Sequence, residues 1–252
     1  MLLCNGPIGV LAPDWGMWYP DHMKEVVGRY IAEKVKNGSV IGIGSGTTVE
    51  VALRLIGERI AKEGLKVKGV STSFKAESIA RESGIEVYPL YSGIVPDFAF
   101  DGADEVDPDW NLIKGRGAAI TREKILARRA GGLSVIVTEE KLVTKLGSKF
   151  PVPIEVIPDA YPDLVSALKT FSPREVVLRE GSGKYGPVVT EHGNFLVDVS
   201  FSEGVPANFE DSVNLLPGVV ECGVFSRDTK EVIVSKGSSL FRFEKGGNLV
   251  QI

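Results

Sequence analysis

The stretch 39–56, SVIGIGSGTTVEVALRLI, decides how the rest of the chain is read. It opens on Ser39-Val-Ile-Gly-Ile, a short apolar run of the kind that forms a strand buried on both faces. Gly44-Ser-Gly-Thr-Thr interrupts it with a glycine-rich turn. From Val49 a helix is predicted over 49–61, with Leu53, Ile56 and Ile60 at helical spacing. A strand, a glycine turn and a helix in this order form the first half of a βαβ unit.

The same alternation runs outward on both sides. Upstream, Val26, Val27, Tyr30, Ile31 and Val35 predict a helix from Met23 that Asn37-Gly38 ends. Downstream, strands are predicted at 65–70, 87–90, 98–100 and 134–138, and helices at 73–83 and 123–129. Alternating β and α over about 120 residues means a mostly parallel sheet covered on both faces. After Leu146 the texture changes, with Pro151, Pro153, Pro158 and Pro162 crowded together. A helix at 163–170, strands at 176–179 and 195–199, and a helix at 208–214 then predict an α+β block that ends near Gly218. Gly223-Val-Phe-Ser and Glu231-Val-Ile-Val-Ser return to strands and are expected to rejoin the first sheet. The expected division is therefore 23–147 with 219–252 as one α/β domain and 148–218 as an inserted α+β domain. Residues 1–22 hold three prolines and three glycines and lack periodicity. They read as an irregular extension, or Met23 is the start; they are too broken and too poor in basic residues for a signal peptide.

Composition narrows the function classes. The 252 residues carry 29 Lys+Arg against 33 Asp+Glu, a net charge of -4, which speaks against a general nucleic-acid binder. The two cysteines, Cys4 and Cys222, make no disulfide framework and suit a reducing cytosol. With two histidines, His22 and His192, a histidine-rich metal site is not available. No apolar run reaches the roughly 18 residues of a membrane span.

Four clusters could carry chemistry. The 42–48 turn sits where backbone N–H groups and a helix dipole bind anions, and Ser45, Thr47 and Thr48 add hydroxyls. Its GxGxG spacing is neither the dinucleotide fingerprint nor a Walker A loop. Taken alone it is a phosphate cradle or a tight turn that needs glycine for packing. Asp101-Gly-Ala-Asp-Glu-Val-Asp follows a strand, where open α/β sheets bind ligands; Ala103 and Val106 exclude a calcium loop, and the alternative is a solvated acidic turn. Lys114-Gly-Arg-Gly-Ala-Ala, with Glu123 nine residues beyond Lys114, could pair an electrophile with a base or be two solvated side chains. Lys141, after the 134–138 strand, is a lone lysine of the kind that usually faces solvent. His192 and Cys222 lie in no nucleophile motif and read as a turn histidine and a buried cysteine.

In this order the segments resemble ribose-5-phosphate isomerase of the A type, from about Lys24 to Val234. Gly42-Ile-Gly-Ser-Gly-Thr-Thr is similar to that family's phosphate loop and Ser71-Thr-Ser to its hydroxyl stretch. Asp101-Gly-Ala-Asp-Glu-Val-Asp, Asn111-Leu-Ile-Lys-Gly-Arg-Gly-Ala-Ala and Arg122-Glu-Lys-Ile resemble its central signature. Lys141-Leu-Val-Thr-Lys-Leu-Gly and Phe150-Pro-Val-Pro-Ile-Glu-Val resemble its crossing into the second domain. Arg116 stands where the family usually has glycine, and Glu139-Glu140 where it has an acid and a serine.

The resemblance implies a Rossmann-like parallel-sheet domain with an inserted ferredoxin-like α+β domain. It implies interconversion of ribose 5-phosphate and ribulose 5-phosphate with no metal or organic cofactor, by a cytoplasmic homodimer or homotetramer that binds neither nucleic acid nor membrane. An aldose–ketose shift needs a carboxylate base, donors for an oxyanion and an acid for hydroxyl protons. Glu123 is the expected base. Lys114 and the N–H groups of Gly115, Arg116 and Gly117 would face the oxyanion. Asp101 would shuttle hydroxyl protons within the Asp101-Gly102-Ala103-Asp104 stretch, with Asp104 holding the network. Lys24, Ser45, Gly46, Thr47, Thr48 and Lys141 would hold the phosphate. The competing reading is a sugar-phosphate sensor on a related fold. It would keep the phosphate loop without needing Glu123 and Lys114 together.

Overall fold

The structure, a computed structural model, describes residues 21–252. The extension, residues 1–22, therefore lies almost wholly outside the described residues. The first helix, α1 (Asp21–Lys34), begins two residues ahead of Met23. Then follow β1 (Val40–Ile43), α2 (Thr47–Glu63), β2 (Lys68–Ser71), α3 (Phe74–Glu82), β3 (Glu86–Tyr88), β4 (Phe98–Asp101), β5 (Glu105–Val106), β6 (Leu112–Ile113), α4 (Ile120–Arg129) and β7 (Leu133–Thr138). A second group runs β8 (Val152–Val156), α5 (Tyr161–Leu168), β9 (Glu175–Leu178), β10 (Phe195–Ser200), α6 (Phe209–Asn214) and β11 (Val219–Cys222). The chain closes with β12 (Val224–Phe225), β13 (Thr229–Lys236), β14 (Ser239–Phe243) and β15 (Leu249–Gln251).

The large sheet has the order β3-β2-β1-β4-β7-β13-β14-β15. The first six strands are parallel, and β14 and β15 add an antiparallel edge. Counted along the chain, the six run 3-2-1-4-5-6, the Rossmann order, and the direction of winding reverses between β1 and β4. Side chains alternate across this sheet as the pleat requires. Ile41, Ile43, Phe100, Ile136 and Ile233 meet α1, α2 and α3 on one face. Val70, Ala99, Val135, Val137, Val232 and Val234 meet Leu126 and Ala127 of α4 on the other. The β14–β15 hairpin was not anticipated from the sequence, because its strands are short and half exposed.

The second sheet has the order β11-β8-β10-β9, antiparallel throughout. Its sequence β8-α5-β9-β10-α6-β11 is the βαββαβ pattern of a ferredoxin-like fold. Two readings need correction here. Val219–Cys222, assigned to the large-sheet domain because the inserted block was expected to end near Gly218, pairs with β8 instead. Val224 and Phe225, also expected there, pair with β6 in a small three-stranded sheet with β5.

The proline-crowded stretch contains a central strand, β8. In an antiparallel ladder the N and O of one residue face the same neighbour. Pro153 O accepts from Gly223 N–H at 2.7 Å, just past the end of β11. Pro153 has no N–H to return, and Gly223 O accepts instead from Lys114 N–H at 2.9 Å. The missing donor thus frees a carbonyl that anchors the backbone of Lys114.

The two sheets are joined through α4. Thr121 and Lys124, three residues apart, share a face of that helix. Thr121 Oγ1 donates to Glu155 on β8, and Lys124 Nζ donates to Glu210 at 2.7 Å, Glu221 at 2.9 Å and the carbonyls of Cys222 and Val224. The Lys124 side chain is 1% exposed. Removing one member of a buried ion cluster leaves the others uncompensated. Lys124→Ala should therefore lower the unfolding free energy by about 3–5 kcal/mol, read from a urea denaturation midpoint.

Candidate active site

The winding reversal places the loop after β1 beside the loop after β4. Gly44 follows β1, and its N–H donates to Phe100 O at 3.0 Å. A Cβ on Gly44 would lie 2.0 Å from the carboxyl carbon of Asp101, so only glycine lets that side chain occupy the space. Ser45 N–H then donates to Asp101 Oδ1 at 3.0 Å, and Ser45 Oγ lies 2.9 Å from Thr72 Oγ1. The N-cap of α2 is Gly46, which has no side chain to cap the helix, so the first-turn N–H groups stay open for an anion. Gly46 and Thr47 are exposed, with Ser45 and Thr48 half-buried.

Three of the expected residues converge in the interior at the end of this loop. Asp101 ends β4, Lys114 follows β6, and Glu123 lies in the first turn of α4. Lys114 Nζ is 2.8 Å from Asp101 Oδ2 and 3.2 Å from Glu123 Oε2, and it donates to Gly102 O at 2.6 Å. All three side chains are under 5% exposed. Asp101 Oδ1 also accepts from Gly102 N–H at 2.8 Å, so one carboxylate has two backbone donors beside the ammonium. Glu123 has the ammonium alone. Oδ2 of Asp101 and Oε2 of Glu123 sit within ion-pair distance of Lys114 but make no aligned hydrogen bond.

The electrostatics follow from burial and from one cation serving two anions. Desolvation pushes Glu123 up to about 8, only partly offset by Lys114 and reinforced by the charge of Asp101. Asp101 is likewise raised by burial, against Lys114 and the N–H groups of Ser45 and Gly102. Burial works to discharge Lys114, but the Asp101 and Glu123 carboxylates outweigh it and hold the ammonium charged. The three titrate as one system.

The remaining expected residues ring this cluster. Ala103 packs half-buried against the core under the large sheet. Asp104 is half-buried and accepts from Arg116 N–H at 3.2 Å, which links it to the 115–117 turn. Gly115 has φ +105°, and a Cβ there would meet Ile120 Cγ2 at 1.8 Å. Arg116 and Lys141 both lie against the Phe150 ring, at 5.5 and 4.8 Å from its centre. Burial lowers the pKa of Lys141, while Asp104 raises it. Lys24 is half-buried near the start of α1, and among the described residues no hydrogen bond or ion pair ties it to the 45–48 loop.

Other features point away from competing sites. Cys222 is buried, and its thiol is pushed up to about 12 by desolvation, unfit for a nucleophile. His192 Nδ1 stands 3.6 Å from Glu155 in the second sheet, far from any nucleophile pairing. Among the described residues no His, Cys, Asp and Glu cluster has the form of a metal site, and no helix is long and apolar enough to cross a membrane. Two cavities of about 310 and 270 Å³ lie elsewhere, beside Asp107 and Phe209 and beside Lys149 and Arg174. The buried charge cluster at the winding reversal marks the site better than cavity size does.

Comparison with known proteins identifies the family of the chain. The family model for ribose 5-phosphate isomerase A (phosphoriboisomerase A) matches residues 68–239. A ribose-5-phosphate isomerase A of Pyrococcus abyssi is 44% identical over 89% of this chain and 99% of its own. The chain belongs to the ribose 5-phosphate isomerase A family. The structure of a member from Methanocaldococcus jannaschii superposes with a TM-score of 0.82 at 39% identity, over 93% of this chain and 99% of that one. A D-ribose-5-phosphate isomerase solved in complex with phospho-erythronic acid gives 0.84 at 40% identity, over 89% and 98%.

Within this family member, two positioning residues had been given no role of their own in the sequence reading. Thr72 orients Ser45. Glu105, fully buried, accepts N–H bonds from Gly147, Lys149 and Phe150 at 2.6, 2.5 and 2.7 Å, and so fixes the loop that carries Phe150. The hydroxyl stretch at 71–73 was visible as a motif; Glu105 lay inside the acidic signature with nothing to mark it as inward-facing.

The raised pKa of Glu123 has a sign that can be tested. A carboxyl whose folded pKa lies above its unfolded value of about 4.3 binds more protons when folded, so its stabilising effect is present at low pH and is lost as pH rises toward about 8. Glu123→Gln should be close to wild type in stability at pH 5, should gain on it up to about pH 8 and should hold that gain to pH 9. Denaturation curves across that range measure the difference, and a constant difference would contradict the assignment.

Proposed function

We propose that this chain interconverts D-ribose 5-phosphate and D-ribulose 5-phosphate through a cis-enediolate, with Glu123 as the base that moves the carbon-bound proton. As a member of its family the chain is an aldose–ketose isomerase. The observation that carries the assignment of roles is the Lys114 ammonium held between Asp101 and Glu123, at 2.8 and 3.2 Å.

The roles follow from the chemistry each group can do there. A base at about 8 is close to the working pH, where a general base is most effective. It takes the proton from C2 of the open-chain aldose and returns it to C1. The oxygen that gains charge meanwhile faces the Lys114 ammonium and the free N–H groups of the 115–117 turn. Asp101 passes hydroxyl protons and assists ring opening, and Asp104 holds the network through Arg116 N–H. The phosphate lies at the open N-terminus of α2 with Ser45, Gly46, Thr47 and Thr48, aided by Lys24 and Lys141. Binding that non-reacting end supplies energy to position the reacting carbons. The reading extends to a cytoplasmic homodimer or homotetramer, which rests on the family resemblance.

Glu123→Gln keeps the size of the side chain but cannot take a proton from carbon. Its turnover should fall by at least about 10²–10⁴-fold, with substrate binding retained. Wild type in D₂O should place deuterium in the sugar and the variant should not, while Asp101→Asn should slow turnover less. Near-normal turnover in Glu123→Gln would assign the base elsewhere. EDTA should leave the wild-type rate unchanged.

Thr48→Ala and Lys24→Ala should mainly raise KM, because their partner is the non-reacting end, with some loss of kcat. An unchanged kcat/KM in both would remove the phosphate from the α2 terminus.

A further inference from the structure

The turn that carries the oxyanion donors is gripped from the second sheet by a residue outside the catalytic cluster. Arg179 follows β9, and Asp198 sits on the neighbouring strand β10. Arg179 Nε donates to Asp198 Oδ2 at 2.7 Å and Nη2 donates to Oδ1, a bidentate pair that fixes the plane of the guanidinium. The remaining nitrogen, Nη1, donates to Gly115 O at 2.9 Å and to Arg116 O at 3.1 Å.

Peptide geometry carries the consequence across the turn. In a trans peptide the C=O and the following N–H point in opposite directions, and the described residues contain no cis peptide. With Gly115 C=O aimed at Arg179, Arg116 N–H must aim away from it, and it does so, onto Asp104 at 3.2 Å. With Arg116 C=O also aimed at Arg179, Gly117 N–H must likewise aim away from Arg179. The side opposite Arg179, where Arg116 N–H meets Asp104, is that of the 101–104 segment, whose Gly102 O accepts from Lys114 Nζ at 2.6 Å and whose Asp104 N–H donates to Ile113 O at 2.8 Å. Gly117 is exposed, and among the described residues its N–H has no acceptor.

We propose that Arg179, locked by Asp198, is a positioning residue for the isomerisation: by holding two carbonyls of the 115–117 turn it aims the Gly117 N–H at the oxygen that becomes charged in the transition state. Arg179 touches no reacting atom. The inference rests on the isomerase reading of the site.

A donor aimed at developing charge acts on turnover more than on ground-state binding. Losing one such donor outright costs about 10²–10³-fold in kcat, so losing its aim should cost about 10–100-fold. Arg179→Ala should show that fall in kcat with KM within about twofold of wild type. Added guanidinium ion at millimolar concentration should restore part of kcat in Arg179→Ala and do nothing for wild type, a response that a merely structural arginine would not give. Asp198→Asn, which leaves Arg179 present but unlocked, should lose several-fold in kcat and decides the matter if Arg179→Ala does not fold. A folded Arg179→Ala with wild-type kcat, or one altered in KM alone, would overturn the proposal, as would a fully active Asp198→Asn. Wild type inactive on ribose 5-phosphate would instead overturn the isomerase reading, and this inference with it.

Discussion

Asp101 Oδ1 accepts from Ser45 N–H at 3.0 Å and from Gly102 N–H at 2.8 Å, while Oδ2 lies 2.8 Å from the Lys114 ammonium. The carboxylate has no exposure to water, and a buried charge without partners is strongly destabilising. These contacts are what permit it to be there, and they come from three separate segments. Ser45 belongs to the loop after β1, Gly102 to the end of β4 and Lys114 to the end of β6. Gly44 makes the arrangement possible because any side chain there would overlap the carboxyl group. The loop proposed to hold phosphate is therefore bonded directly to the carboxylate proposed to handle hydroxyl protons. A substrate gripped at one end has little freedom left at the other, which is how remote binding energy reaches the reacting carbons.

The same burial sets the acid–base character of the cluster. Two carboxylates share one ammonium, and Asp101 has backbone donors that Glu123 lacks. Burial raises both carboxyls, and Glu123, pushed up to about 8, holds a proton near neutrality. A fully satisfied Glu123 would be a more stable group and a weaker base. The fold tolerates the imbalance because ion clusters elsewhere are well satisfied. Lys124 meets two carboxylates and two carbonyls, and Glu155 meets Thr121, Thr190 and Asn194.

Much of this was legible in the residues themselves. The strand–glycine–helix unit at 39–56 and the later alternation lead to the parallel sheet, because buried strands and amphipathic helices leave strong local patterns. Asp101, Lys114 and Glu123 were singled out by their places at strand ends and a helix start, and they do meet. The failures share a cause, which is that pairing across the chain is not a local property. Val152–Val156 looked like a break because of its prolines, yet Pro153 is harmless at the level where β11 has ended. Val219–Cys222 fell outside the expected insert because nothing in four residues says which edge they will join. Arg179 was invisible as a site residue for the same reason: it lies 63 residues beyond the Arg116 carbonyl it binds, and no motif spans the gap.

The second sheet holds the proposed catalytic residues through their backbone rather than by adding reacting side chains. Lys114 N–H is anchored on Gly223 O, which Pro153 leaves free. The carbonyls of Gly115 and Arg116 are held by Arg179. Thr121 and Lys124, on either side of Glu123 in sequence, are held by Glu155 and by Glu210 with Glu221. Lys114 and Glu123 are thus borne on backbone that the second sheet grips, whereas Asp101 and the 44–48 loop belong wholly to the large sheet. In the proposed mechanism the alignment of cation and base against the substrate depends on how the two sheets are docked. Because a misplacement of about 1 Å can lower turnover by about 100-fold, substitutions in the inserted sheet should register in catalysis even where they lie far from any reacting atom.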